Sequence, residues 1–104
     1  MEKGKVMQYK YTAVLEPIKD SEEYHVYVPD LPGCISFGLG VQDAIEMITD
    51  AASIWLVVAE DEGIVLPAAT PANQLEYKTG AILSEINIDT TAYRAEIANL
   101  PLSE

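Results

Sequence analysis

A single cysteine, Cys34, leaves no partner for an internal disulfide, which suits a reducing compartment. The lone histidine, His25, together with Cys34, provides no metal-ligand spacing. It also leaves Ser36 and Ser53 without the partners of a nucleophilic triad, and His25 reads as a surface group near acids. Cys34 has no neighbouring cation to stabilise a thiolate, so it reads as a small apolar packing residue. Gly38-Leu39-Gly40 is followed by neither a third glycine nor G-K-[ST], which makes it a turn and helix start and not a phosphate loop. No apolar run approaches the roughly 20 residues of a membrane span, and no apolar stretch of signal-peptide type follows Met1-Glu2-Lys3-Gly4-Lys5. These absences lead us to expect a soluble cytoplasmic protein that is not an enzyme and holds no metal or cofactor.

Basic residues are the other scarcity. Six bases face 17 acids, for a formal net charge of −11. The bases are Lys3, Lys5, Lys10, Lys19, Lys78 and Arg94, so residues 20–77 contain none. That stretch holds eleven acids: Asp20, Glu22, Glu23, Asp30, Asp43, Glu46, Asp50, Glu60, Asp61, Glu62 and Glu76. The other six acids balance the six bases, and the middle of the chain carries the whole net charge. Phosphate binding needs Lys and Arg, so this surface repels nucleic acid. It would attract a cationic protein over a screening length of roughly 8–10 Å. A coat that only keeps the protein soluble has the same composition.

At 104 residues, about half of them apolar, the chain fits one compact domain. We assign residues 8–99 to that domain, with tails at 1–7 and 100–104. Alternation predicts strands over Gln8–Glu16 and Tyr24–Val28. In the first, Tyr9, Tyr11, Ala13 and Leu15 share a face and Val14 breaks the pattern. Pro29-Asp30-Leu31-Pro32-Gly33 is a stiff turn, with Pro32 and Gly33 suited to the two central positions of a type II turn. A short third strand follows over Cys34–Gly38. Apolar residues at three- and four-residue spacing predict a long helix over Val41–Glu60, with Gly40 as its cap. Its last turn, Ile54 to Ala59, is apolar on all sides, and Glu60, Asp61 and Glu62 then stand where the helix dipole disfavours negative charge. Pro67–Asn73 reads as an extended linker, Ala81–Ile88 as a fourth strand, and Thr90–Ala98 as a short helix capped by Asp89, with Pro101 closing the chain. The expected fold is α+β, a two-layer β-β-β-α-β arrangement with strand order 3-2-1-4 and the long helix on one face. The helix is the crossover between the third and fourth strands, so the fourth is expected parallel to the first. The all-round apolar helix end and the sheet face without an evident cover predict a homo-oligomer, most simply a dimer.

Residues 9–67 resemble the HicB antitoxin domain. The resemblance rests on Tyr24-His25-Val26-Tyr27-Val28-Pro29-Asp30-Leu31-Pro32-Gly33-Cys34, then Ser36-Phe37-Gly38, Asp43-Ala44-Ile45 and the Gly63–Pro67 string G-I-V-L-P. It implies a partial RNase H-like fold and an antitoxin that neutralises a basic HicA-type mRNA interferase by direct binding. Many members carry a C-terminal DNA-binding domain, for which this sequence has no counterpart before Glu104. RNase H chemistry asks for a carboxylate in mid first strand, where this chain has only Glu16 at the strand's end. The expected toxin contacts are the acids Asp30, Glu60, Asp61 and Glu62, with Tyr24, Tyr27 and Phe37 as aromatic anchors. Asp30 has an alternative role, accepting backbone N–H bonds within its own turn. The alternative function is an orphan HicB-like module that binds another protein or a ligand.

Six scattered bases cannot neutralise enough phosphates for stable binding of duplex DNA or RNA. A gel-shift titration in 150 mM salt should show no retarded duplex at submicromolar protein; a discrete shifted band there would refute this.

Overall fold

The computed structural model describes residues 7–99; of the expected tails at 1–7 and 100–104, all but Met7 lie outside the described residues, Pro101 included. Strand β1 (Gln8–Pro17) is followed by β2 (Glu23–Tyr27), β3 (Ile35–Leu39), helix α1 (Gly40–Glu62), β4 (Ile82–Asp89) and helix α2 (Thr90–Ala98). The four strands form one sheet in the order β3-β2-β1-β4, as the pattern of the sequence predicts. The β1–β2 ladder pairs Leu15 with Val26, and the β2–β3 ladder pairs Val26 with Ser36.

The core lies between α1 and one sheet face. Tyr11, Ala13, Leu15, Val26, Ile86 and Ile88 from the sheet meet Ala44, Ile48, Ala52 and Leu56 from α1, with Leu31 and Cys34 closing one end. The helical residues recur every four positions, the stripe an amphipathic helix turns inward. Leu31 and Cys34 are buried because the Pro29–Gly33 loop folds under the sheet end. Its type II turn is closed by the Cys34 N–H donating to Leu31 O at 3.0 Å, with Gly33 at φ +82°. Burial pushes the Cys34 thiol up to about 11, which agrees with a packing role.

Val14, out of step with its neighbours in the sequence pattern, is fully buried on the opposite sheet face, between Tyr27 and Leu83 of the adjoining strands. That face is therefore not uniformly bare. Gly40 adopts φ +85° as the first residue of α1, one position later than a cap. The helix start is tied instead by Asp43, whose Oδ2 accepts the Leu39 N–H at 2.9 Å.

One expectation fails. The fourth strand is antiparallel to the first, with Gln8 opposite Asp89 and Leu15 opposite Ile82. The crossover rule assumes that a helix returns the chain to the end from which the next strand must start. Here α1 does bring the chain back to the Tyr9 end of the sheet, but β4 does not start there. The segment Ile64–Ala81, which holds only a 3-10 turn at Ala72–Gln74 and a tight turn at Thr79–Gly80, carries the chain to the Leu15 end first. A 23-residue helix covers about 35 Å. At about 3.3 Å per residue, an extended segment of this length spans that distance with residues to spare.

The approach of α1 to the sheet is set by Gly38. A Cβ there would lie 2.4 Å from both the Cα and the N of Ala44, inside the first turn of α1. Neither atom can yield without moving the helix. We expect Gly38→Ala to lower the free energy of unfolding by about 1–3 kcal/mol through overpacking. Urea denaturation checks this, and an unchanged midpoint would mean that the helix start is free to shift.

Candidate functional site

Three polar arrangements define the surface around the sheet. The first pins the long return segment. Asp30, in the loop after β2, accepts from Thr70 twice: from the backbone N–H at Oδ2 and from the hydroxyl at Oδ1, both at 2.7 Å. Tyr11 donates its hydroxyl to Pro67 O at 2.6 Å, and Trp55 of α1 donates its indole N–H to Pro32 O at 2.9 Å. The Pro29–Gly33 loop, α1 and the Pro67–Thr70 segment are thus joined by side chains from separate elements. Asp30 caps neither its own turn nor an empty surface; its partner is forty residues away.

The second arrangement resolves the charge at the end of α1. Glu60 Oε2 accepts from Tyr9 Oη of β1 at 2.6 Å and from the buried Thr90 Oγ1 at 2.8 Å. Its Oε1 accepts from Arg94 Nη2 of α2 at 2.9 Å, and the same nitrogen reaches Asp61 Oδ1 at 2.9 Å and Val57 O at 3.3 Å. The guanidinium therefore supplies the positive charge that the helix C-terminus and its acids call for. Burial pushes the Glu60 carboxyl up, but hydrogen bonds from Tyr9, Arg94 and Thr90 outweigh it and hold the group below the usual carboxylate range. Tyr9 is pushed up to about 12, by burial first and then by the adjacent carboxylate.

The third is the sheet face turned away from α1. On its β2–β3 half, His25 lies between Tyr27 and Phe37, with ring centroids 5.5 and 5.2 Å away. Glu16 of β1 accepts from Tyr27 Oη at 3.2 Å and lies 3.5 Å from His25 Nδ1. Beyond them Ile35, Phe37 and Leu39 of β3 are 52, 54 and 63 % exposed, an uncovered apolar row. Burial, then the Glu16 charge and hydrogen bond, raise the Tyr27 phenol.

The seven residues singled out in the sequence thus fall in separate places. Tyr27 and Phe37 share the open sheet face, whereas Tyr24 lies on the α1 side and packs against the core. Asp30 holds Thr70, Glu60 and Asp61 hold Arg94, and Glu62 is exposed. Sequence reasoning missed Arg94, His25 and the neighbours of Phe37 in its row, Ile35 and Leu39. Arg94 had a signal: beyond residue 19 the only bases are Lys78 and Arg94, and three acids at a helix end demand a cation. The Asp30–Thr70 pair had none, because nothing local to either residue specifies the other.

This fold and surface define a small α+β binding domain, and among the described residues no group of three or more His, Cys, Asp or Glu side chains is placed to hold a metal ion. The profile of the HicB-like antitoxins of bacterial toxin–antitoxin systems matches residues 11–104, and the chain belongs to that family. No curated protein matches the sequence. Among solved structures it is similar to a chain of a toxin–antitoxin complex from Streptococcus pneumoniae, at 18% identity over 94% of this chain and 79% of that one, with a TM-score of 0.75. It also resembles the N-terminal domain of the Burkholderia pseudomallei antitoxin HicB, at 23% identity over 75% of this chain and 95% of that one, with a TM-score of 0.65. A chain of the HicA3–HicB3 toxin–antitoxin complex aligns at 22% identity over 78% of this chain and 99% of that one, with a TM-score of 0.61. At these identities the likeness is one of fold.

A carboxyl whose folded pKa is depressed stabilises the fold above its unfolded value, about 4.3 for Glu, and that stability is lost as pH falls through the folded value. We therefore expect Glu60→Gln to melt below the wild type at pH 7, with the gap closing as the pH is taken from 5 towards 3. Thermal melts across that range check this; a gap that stays constant down to pH 3 would show that the Glu60 charge contributes nothing.

Proposed function

We propose that this chain is an antitoxin that neutralises a basic HicA-type mRNA interferase by direct binding, without catalysis of its own. Family membership supports the class of function. The observation that carries the choice of partner is an exposed apolar row flanked by acids. Ile35, Phe37 and Leu39 stand open beside Tyr27, with Glu23 paired to Leu39 and Glu16 bonded to Tyr27, in a chain of net charge −11. A protein that binds RNA presents Lys and Arg, the complement of such a rim.

On this reading Tyr27 and Phe37 anchor the toxin, as aromatic residues do at interface hot spots. Glu22, Glu23 and Glu62, all exposed, steer its approach. Asp30, Glu60 and Asp61 act at one remove, by holding the loop and helix end in place, and Tyr24 supports the sheet from its inner side. The same reading makes the protein a cytoplasmic homo-oligomer that does not itself bind DNA. An orphan module with no toxin is the outcome to be tested against it.

The partner to use is the product of a neighbouring gene of some 60–80 codons, basic and with a central histidine. Co-expression should relieve its growth arrest. In stopped-flow binding, Glu22→Gln with Glu23→Gln should slow association roughly two- to fivefold at 50 mM salt and converge with the wild type at 300 mM. An on-rate unchanged at both salts would reduce these acids to a solubility coat, and absence of any binding would favour the orphan module.

A further inference from the structure

β3 is an edge strand, and the direction of its backbone groups follows from two hydrogen bonds at its ends. Gly40 N donates to Glu22 O at 2.8 Å, and Val28 N donates to Cys34 O at 3.1 Å. In an antiparallel ladder such hydrogen-bonded pairs alternate with non-bonded ones. Residues 34, 36, 38 and 40 therefore direct their N–H and C=O groups to β2, and residues 35, 37 and 39 direct theirs outward. The Leu39 N–H is occupied by Asp43. Among the described residues, those of Ile35 and Phe37 meet no partner.

Natural edge strands are commonly blunted by charge, proline or a bulge. β4, the other edge, carries Glu85 and Asp89, and Ala69–Ala72 lie beside its Leu83–Glu85 stretch. β3 has none of these devices; its sequence is Ile-Ser-Phe-Gly-Leu. That sequence is self-complementary when reversed about its centre: Phe37 meets Phe37, Ile35 meets Leu39 and Ser36 meets Gly38. The charges agree with this arrangement. Three exposed acids next to β3, Glu22, Glu23 and Asp43, gather at its Leu39 end, whereas Pro32, Gly33 and Cys34 precede its other end, where the nearest acid, Glu16, is engaged by Tyr27. Antiparallel pairing sets each acidic end beside the partner's uncharged Pro32–Cys34 end and keeps the two acidic clusters apart. A parallel pairing, or a stack of the open faces, does not.

We propose that β3 pairs antiparallel with β3 of a second copy, about a two-fold axis at Phe37, to join the two sheets into one of eight strands. The proposal rests on the homo-oligomeric part of the reading above and names the surface that makes it. Backbone groups form the junction, with the Phe37 pair exchanging two hydrogen bonds and each Ile35 N–H meeting the partner's Leu39 O. The apolar row stays on the open face, where two copies run side by side as one longer surface. Because each copy carries −11, self-association strengthens as salt rises, opposite in sign to binding of a cationic partner.

The test is sedimentation of the full chain at 10–200 µM in 150 and 500 mM salt, with three variants. Wild type should reach about 23 kDa, twice the 11.4 kDa chain, at lower concentration in the higher salt. Phe37→Lys should weaken dimerisation at least tenfold with an unchanged circular dichroism spectrum. Ile54→Lys, on the exposed side of α1, should leave it intact. Phe37→Cys should be trapped as a disulfide-linked dimer under mild oxidation, since bonded antiparallel partners lie about 5.5 Å apart at Cα, within disulfide reach. Buried Cys34 does not compete. A wild-type monomer at 200 µM in both salts overturns the homo-oligomer and this interface together. A dimer lost in Ile54→Lys but kept in Phe37→Lys leaves the homo-oligomer standing and overturns the edge pairing. If Phe37→Lys unfolds, absence of the Phe37→Cys cross-link overturns it alone.

Discussion

The structure turns on the Glu60 carboxylate. It stands at the end of α1 where the helix dipole is negative, and three donors from two other elements converge on its two oxygens. β1 donates through Tyr9, and α2 donates through Thr90 and Arg94. Each donor fixes a different part of the chain. Tyr9 ties α1 to the central strand, Thr90 ties the end of β4 to the same point, and Arg94 lays α2 against α1. A carboxylate in water makes equivalent bonds to solvent, so the net gain per bond is modest. The bonds to Glu60 also tie β1 and α2, from opposite ends of the chain, to one point on α1.

A second set of bonds fixes the return segment. Between α1 and β4 the chain crosses the molecule with only one short helical turn. Such a segment buries little apolar surface and is held by polar contacts. Asp30 supplies two, at Thr70, and Tyr11 one, at Pro67. This is why an acid in the most recognisable loop of the chain is occupied by its own protein. The loop itself is held by Trp55 from the helix side. Its stiffness, set by Pro29 and Pro32, carries β2 into β3 in the antiparallel sense and leaves β3 at the sheet's edge.

These bonds leave the sheet face turned away from α1 free. The acids committed to Arg94 and Thr70 are unavailable to a partner in their present geometry. The open sheet face retains Tyr27, His25 and Phe37 in ring contact, with Glu16 beneath and Ile35 and Leu39 alongside. An exposed apolar row on an otherwise acidic protein is costly for solubility and is characteristic of a surface that becomes covered.

The sequence by itself determined the elements, their order in the sheet, the turn at Leu31–Cys34, the Asp89 cap and the family. Each of these is written in residues close together in the chain: alternation in the strands, four-residue spacing in α1, a Pro-Gly pair, a capping aspartate whose partner, Ala92 N, is three residues on. The direction of β4 was not legible, because it depends on how far a segment of weak local preference travels before pairing begins. Nor were the pairings of Asp30 and Glu60, since their partners lie 30 to 51 residues away; for Arg94 only the scarcity of other cations gave a hint. Only the tertiary structure decided which acids stay free. A charge is fixed by composition, but its availability is fixed by whether a donor from another element has reached it first.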